Sequence, residues 1–343
     1  MSASVEPGSR RGAAGVLLVA LGTPESPTAP AVRRYLREFL SDPRVVQIPR
    51  LLWLPILHGI VLRTRPRVSA EKYALIWTPE GSPLKVHTER QAKLLRGYLG
   101  EQIRPSLPVE YGMRYGKPSI AEGLDRLAAS GIERVLVIPL YPQYTESTTA
   151  SVEDALEAYR SRKRSRVQLR MVRHFHDLHG YIRALARQLL AHQEKNGLIE
   201  RLLMSFHGLP QRAVDLGDPY RDECEQTAAL LAREFGLREG QWQIAFQSRF
   251  GRARWLQPYT AATLEAWARQ GVQRVDVFCP GFVSDCLETL EEIGIEGRRT
   301  FLAAGGKEFH LVPCLNEHDE WIRALSDLAQ KELRDWIAAP GGA

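Results

Sequence analysis

The stretch Arg134 to Thr149, RVLVIPLYPQYTESTT, decides the fold. A β-branched apolar run ends at Leu140, a polar and aromatic segment follows, and an amphipathic stretch begins at Ser151 and continues to Arg164. A short apolar run followed by helical periodicity is the βα unit of a parallel sheet. The same alternation extends along the chain in both directions. It predicts strands at Gly15 to Leu21, Pro108 to Gly112, Arg134 to Leu140 and Val167 to Arg173, and again at Leu202 to Phe206, Trp242 to Gln247, Arg274 to Cys279 and Phe309 to Pro313. Helical periodicity fills Ala31 to Leu40, Val86 to Leu99, Ile120 to Ala129, Gly180 to Lys195, Pro219 to Phe235 and Tyr259 to Gln270, with Ser119 and Asp218 at N-cap positions.

The 343 residues, at roughly 150 per domain, make about two domains. The expected architecture is α/β: two doubly wound, Rossmann-like domains, each with a four-stranded parallel sheet, and a cleft between them. Residues 1–14 read as a flexible tail, 15–175 as the first domain and 176–315 as the second. The helix of 316–338 is expected to pack back on the first. Hydrophobic residues at 44% and charged residues at 25% exclude disorder and a disulfide scaffold. The 46 Lys and Arg against 40 Asp and Glu leave +6, which suits an anionic small molecule or lipid head as well as nucleic acid. The first fifteen residues hold no apolar core of signal-peptide length, which points to a cytoplasmic protein. The run LLWLPILHGIVL, Leu51 to Leu62, is too short to span a bilayer, which needs about 20 residues.

In open α/β sheets the ligand lies beyond the carboxyl ends of the strands. Those positions hold Gly22, Thr23 and Pro24; Met113, Arg114 and Tyr115; Tyr141 to Thr149; His207; Ser248 to Gly251 and Trp255; and Pro280 to Glu288. Polar and aromatic groups from both halves thus share one rim. His207 ends a buried-looking strand, where imidazole can accept a proton or ligate a metal, or simply be hydrogen-bonded in a turn. Glu288, Glu292 and Glu296 recur every four residues, a single row on an α-helix. The row is either a solvated face or a carboxylate chain that handles a cation or protons.

Other motifs fail on detail. Gly112 to Lys117, GMRYGK, has three residues between its glycines and Pro118 after the lysine, so it is no phosphate loop. His174, His176 and His179 fall on no single face of a strand or helix, and no HExxH or paired Cys/His zinc pattern occurs. His179 is expected near the cleft and the other two at the surface. The four cysteines, Cys224, Cys279, Cys286 and Cys314, show no close cluster spacing.

Leu21-Gly22-Thr23-Pro24, Gly81-Ser82-Pro83, Tyr141-Pro142-Gln143-Tyr144 with Ser147-Thr148-Thr149, Ser205 to Pro210 (SFHGLP), Gln247 to Gly251 (QSRFG) and Ser284 to Glu292 (SDCLETLEE) together resemble ferrochelatase over about residues 15–335. The resemblance implies an enzyme, a lyase, that inserts Fe²⁺ into protoporphyrin IX in the last step of haem biosynthesis. It implies His207 and Glu288 as the catalytic and metal-handling pair, with Asp285 in the supporting network and Glu292 and Glu296 as the acidic row. It also implies porphyrin contacts at Leu21, Tyr73, Ser82, Arg114, Tyr115, Tyr141, Trp255 and an arginine at Arg63 or Arg65. Leu21, where the coproporphyrin branch carries Tyr, is similar to the protoporphyrin branch of Gram-negative bacteria.

Two departures from the family pattern matter. Cluster-bearing members place a Cys near Glu146 and more cysteines at the C-terminus, so no iron–sulfur cluster and no permanent cofactor is expected. Some members have His where Cys286 stands, so a third imidazole is not essential. The alternatives are a coproporphyrin ferrochelatase, a cobalt or nickel tetrapyrrole chelatase of the same fold, and a non-catalytic haem or metal carrier. Partners are protoporphyrin IX and Fe²⁺ with no nucleic acid, and the protein is expected as a monomer. Leu51 to Leu62, with Trp53 and flanked by Arg50, Arg63, Arg65 and Arg67, reads either as a core helix or substrate wall, which leaves the arginines without a role, or as a lip that touches anionic membrane surface from the cytoplasmic side, which uses both.

Overall fold

In the computed structural model the described residues are 13–103, 107–163, 167–251 and 253–337. Strands β1 (Ala13–Thr23), β2 (Val109–Gly116), β3 (Ile132–Pro139) and β4 (Gln168–Met171) form one parallel sheet of order β2-β1-β3-β4. Strands β5 (Leu202–His207), β6 (Trp242–Gln247), β7 (Arg274–Phe278) and β8 (Glu308–Leu311) form a second, of order β6-β5-β7-β8. All eight expected strands are present. The first begins at Ala13, earlier than the tail boundary allowed; the rest of the expected tail lies outside the described residues.

The helices are α1 (Ala29–Leu40), α2 (Arg50–Ile56), α3 (Leu62–Ile76), α4 (Pro83–Gln102), α5 (Ile120–Ala129), α6 (Ser151–Lys163), α7 (His179–Asn196), α8 (Gln211–Asp215), α9 (Tyr220–Phe235), α10 (Thr260–Arg269), α11 (Arg298–Ala303) and α12 (Asp319–Leu333). Three π-helical segments interrupt them, at Leu57–Val61, Glu146–Ala150 and Glu288–Gly297.

Because side chains alternate along a strand, each sheet feeds two cores. Val16, Leu18 and Ala20 of β1 and Leu202, Met204 and Phe206 of β5 point into one shared core with residues of α4, α7, α9 and α12. Leu17 and Val19 face α5 and α6 on one outer side; Leu203 and Ala245 face α10 and α11 on the other. The shared layer joins the halves, and the expected boundary at 175/176 falls in the connection between β4 and α7. α12 packs against both α4 and α7, with Ser326 donating to Gln102 across 3.3 Å.

Ser119 caps α5 in a full capping box with Glu122. Asp218 stands one residue before the N-cap of α9. It accepts from Tyr220 N at 3.0 Å but gives its other oxygen to Thr145 Oγ1 and Glu146 N, at 2.7 and 2.9 Å, tying the first half's rim loop to the second half.

The helical stretch from Arg50 to Ile76 is not among the expected helices, and it runs through Pro55, Gly59 and Pro66. Between the two prolines the helix opens into a π turn at Leu57–Val61, which holds Gly59. The lip is therefore folded, and its interior differs from the expectation. Trp53 and Leu57 are buried with Leu40, Val61 and Leu62, and Trp53 Nε1 donates to Leu40 O at 2.6 Å. Outward face Leu51, Leu52, Ile56 and Ile60. No helix among the described residues is long and apolar enough to cross a membrane.

Candidate active site

Strand order reverses between β1 and β3 in one sheet and between β5 and β7 in the other, and crevices open at such switch points. His207, the last residue of β5, is exposed there. Its Nδ1 donates to Gly208 O at 2.7 Å, which leaves Nε2 as the ring nitrogen not used by that bond. Gly208 has no substitute: a Cβ would meet Gln247 O at 2.4 Å and Trp255 at 3.0 Å. Trp255 is half-buried and pairs through its backbone with Pro210, forming the turn beside the histidine.

After β7 the chain reaches Asp285, which is buried and fully occupied. Its oxygens accept from Thr289 Oγ1 at 2.9 Å, Asn316 Nδ2 at 2.7 Å and Cys314 N at 3.3 Å. With no oxygen left over, it acts as a positioning residue that fixes the start of the π segment bearing Glu288. Gln247, which the QSRFG motif includes without a site role, donates to Glu288 O at 2.7 Å and accepts from Ser205 Oγ at 2.7 Å. It links the floor beneath His207 to the segment that carries Glu288.

The acidic row of an α-helix does not form. Residues 288–297 are π-helical, with ring closure at five residues. Glu291 and Glu296, five apart, share Lys72 Nζ at 3.0 and 3.1 Å, whereas Glu292 turns to Ser248, accepting from its N at 2.6 Å and its Oγ at 2.5 Å. Glu288 is half-buried and faces the first half. Burial and then the Glu288 carboxylate push the Tyr73 phenol well above its ordinary range, and Tyr35 is raised by burial, by Tyr73 and by Glu288. The Cys286 thiol is raised by burial and then by Glu288. These groups stay neutral hydrogen-bond donors around one carboxylate.

The opposite wall comes from the first half. Leu21 is half-buried at the end of β1, followed by Gly22, where φ is +116° and a Cβ would collide with Tyr115 O at 1.7 Å. Thr23 Oγ1 donates to Ser82 Oγ at 2.8 Å and also bonds Tyr73, so the end of β1 gathers both hydroxyls from residues far along the sequence. Tyr141 follows β3 with its hydroxyl buried and without a partner. Arg114 Nε donates to Ser151 O and Oγ at 2.8 and 2.6 Å, and its guanidinium pairs with Asp42.

Tyr115, expected on the wall, is 1% exposed and gives its hydroxyl to Asp42 at 2.8 Å, so it supports Arg114 from behind. Asp42, buried just after α1, is the hub of this group and had no sequence signal beyond its charge. Of the two arginines, Arg63 is exposed, and Arg65 crosses the mouth to lie 4.4 Å over the Phe250 ring of the second half.

Two equal parallel sheets with converging groups at both switch points define a protein of the chelatase fold. SirB from Bacillus subtilis with Fe³⁺ superposes at a TM-score of 0.52 and 13% identity, over 95% of this chain and 96% of that one. CbiX, the terminal enzyme for siroheme biosynthesis in denitrifying bacteria, gives 0.50 at 16%, over 92% and 98%. At those identities the likeness is one of fold. The family model Ferrochelatase matches residues 13–333. The ferrochelatase of Aromatoleum aromaticum is 59% identical over 326 residues, 95% of this chain and 89% of that one. That of Methylibium petroleiphilum is 59% identical over 339 residues, 98% and 93%. The chain belongs to the ferrochelatase family, whose enzymes insert ferrous iron into a porphyrin.

Proposed function

We propose that the cleft holds protoporphyrin IX between the first half's wall and His207, and that the reaction exchanges two pyrrole protons for Fe²⁺ to give protohaem. The observation that carries this is His207, exposed at the end of β5 with Nδ1 held by Gly208 O and Nε2 left over, beside the Glu288 segment at one switch point. A flat macrocycle resists a metal entering from one face, so a cleft that grips the ring spends binding energy on distorting it. His207 Nε2 accepts a pyrrole proton. Glu288, half-buried among neutral hydroxyls, takes the proton onward or guides the cation, since carboxylate and imidazole both suit Fe²⁺. Ser82 and Tyr73 offer hydroxyls, and Arg63 and Arg65 positive charge, to the propionates.

The reading that no iron–sulfur cluster is carried rests on four buried thiols, each held above its ordinary range chiefly by burial, and on Glu146 pairing with Arg44 where cluster-bearing members have Cys. Contact with an anionic membrane surface rests on the exposed apolar residues of the lip beside Arg50 and Arg63.

The test is an anaerobic mixture of the protein with excess Fe²⁺ and protoporphyrin. Haem should accumulate to many equivalents per protein. A spectral change that stops at one equivalent would mean a carrier, and faster turnover on coproporphyrin would move the chain to the other branch.

A further inference from the structure

We infer that His174, His176 and Glu223 form a second divalent-cation site, at the seam between the halves and apart from the pair His207 and Glu288. The two histidines lie on the connection from β4 to α7, and Glu223 is in the first turn of α9. One ligand atom from each lies within 4.8 Å of the others. Glu223 is buried, and its Oε2 already accepts from Tyr144 N of the YPQYT loop at 2.7 Å.

The decisive side chain is His176, 5% exposed. Its Nε2 lies 2.9 Å from Gln226 Oε1, an acceptor, so Nε2 carries the proton. Its Nδ1 is buried without a hydrogen-bond partner, although Glu223 Oε2 lies 3.3 Å away, because the ring direction misses that oxygen. A neutral ring that donates from Nε2 leaves its Nδ1 lone pair unused beside a buried carboxylate, and a cation taken by both would satisfy the two at once. Metal–ligand bonds of about 2.0–2.1 Å at tetrahedral angles put ligand atoms about 3.3 Å apart. His174 Nδ1, 2.7 Å from Glu223 Oε1, supplies the third ligand; its side chain is half-exposed, which leaves a fourth position for water. Two imidazoles and a carboxylate suit Zn²⁺, Co²⁺ or Fe²⁺. A cation here would fasten the β4–α7 connection to α9 beside Tyr144, stiffening the contact that holds the first half's rim loop.

The test is Zn²⁺ equilibrium dialysis on the full chain without porphyrin, in a His207→Ala background that weakens the cleft site. One equivalent should remain bound. Adding His174→Ala, an exposed change that spares the fold, should weaken it by at least the roughly tenfold that even an outer-shell partner is worth. His176→Gln should do the same. Zn²⁺ should raise the melting temperature of His207→Ala but not of the double variants. Separately, His174→Ala alone should keep iron insertion, so failure here is distinguishable from failure of the cleft reading. If no equivalent remains in His207→Ala, or if it survives both added changes, His176 and Glu223 are an imidazolium–carboxylate pair and the site does not exist.

Discussion

The two halves trace the same path and use its rim differently. Both sheets share one strand order, and β2 and β6 are each followed by a loop whose proline carbonyl returns to the strand, Met113 N to Pro118 O and Phe246 N to Pro258 O. The edge strands end alike, with Val172 N bonded to Val137 O and Val312 N to Val277 O. A π segment follows the third strand of each half. In the first half it is five residues long, and its Glu146 is tied down by Arg44. In the second it is ten residues long and carries four glutamates, of which Glu288 is free of the Lys72 and Ser248 pairings. The first half instead inserts the lip helices between α1 and α4. One rim has become a wall with an entrance and the other a bench for proton and metal chemistry, so the duplicated scaffold sets the place and the grafted groups set the reaction.

The comparison is broken most directly at His207. His207→Ala should lower iron insertion by at least about 100-fold with an unchanged melting temperature. Arg114→Ala, on the other wall, should mainly cost stability, about 2–3 kcal/mol, because Asp42 stays buried with its cation removed. Steady-state haem formation and thermal melts of both variants decide it; a reversed pattern would place the chemistry in the first half.

A finer cut separates two glutamates three residues apart. Glu288→Gln should reduce turnover by tens-fold, within the range of general acid–base groups, and leave the melt alone. Glu291→Gln should do the opposite: its carboxylate is 3% exposed on Lys72, so its loss should cost about 1–2 kcal/mol, less than for a fully buried pair because Lys72 is partly exposed. Equal losses of turnover would return both to a common solvated face.

That contrast also marks where the sequence is legible. Buried parallel strands are contiguous apolar runs, so all eight could be read, and the rim followed from where such strands end. His207 and Glu288 were visible for that reason. The π segment was not, because a four-residue spacing looks the same whether the turn closes at four or five residues, and nothing in it signals that Glu291 and Glu296 share Lys72. Asp42 with Arg114, and Glu223 with His174, are 72 and 49 residues apart. Only the folded chain brings them together. The lip's inside and outside could have been told apart by reading helical period through Pro55, which puts Leu52, Ile56 and Ile60 in one stripe.

That stripe carries the smallest expected effect on turnover. Leu51, 90% exposed, stands beside Leu52, Ile56 and Ile60, and a membrane contact has to use these side chains, since Trp53 and Leu57 are spent on the lip's own core. Each apolar side chain moved into an acyl boundary contributes about 1 kcal/mol when partly inserted. A Leu51→Ser, Ile60→Ser double variant should therefore bind anionic vesicles at least about tenfold more weakly than the parent. Its melting temperature and its turnover on detergent-solubilised porphyrin should stay unchanged, because neither residue touches the cleft network. Trp53→Ser should instead cost about 3 kcal/mol or more of stability and lower vesicle binding only as the lip unfolds. Binding of the parent should weaken as salt rises, since screening shortens the reach of Arg50 and Arg63. Co-sedimentation with vesicles containing phosphatidylserine, set against neutral vesicles, reads all three. If the parent ignores the anionic vesicles at low salt, the stripe is a porphyrin entrance only; if Leu51→Ser, Ile60→Ser binds as the parent does, the contact lies elsewhere on the molecule.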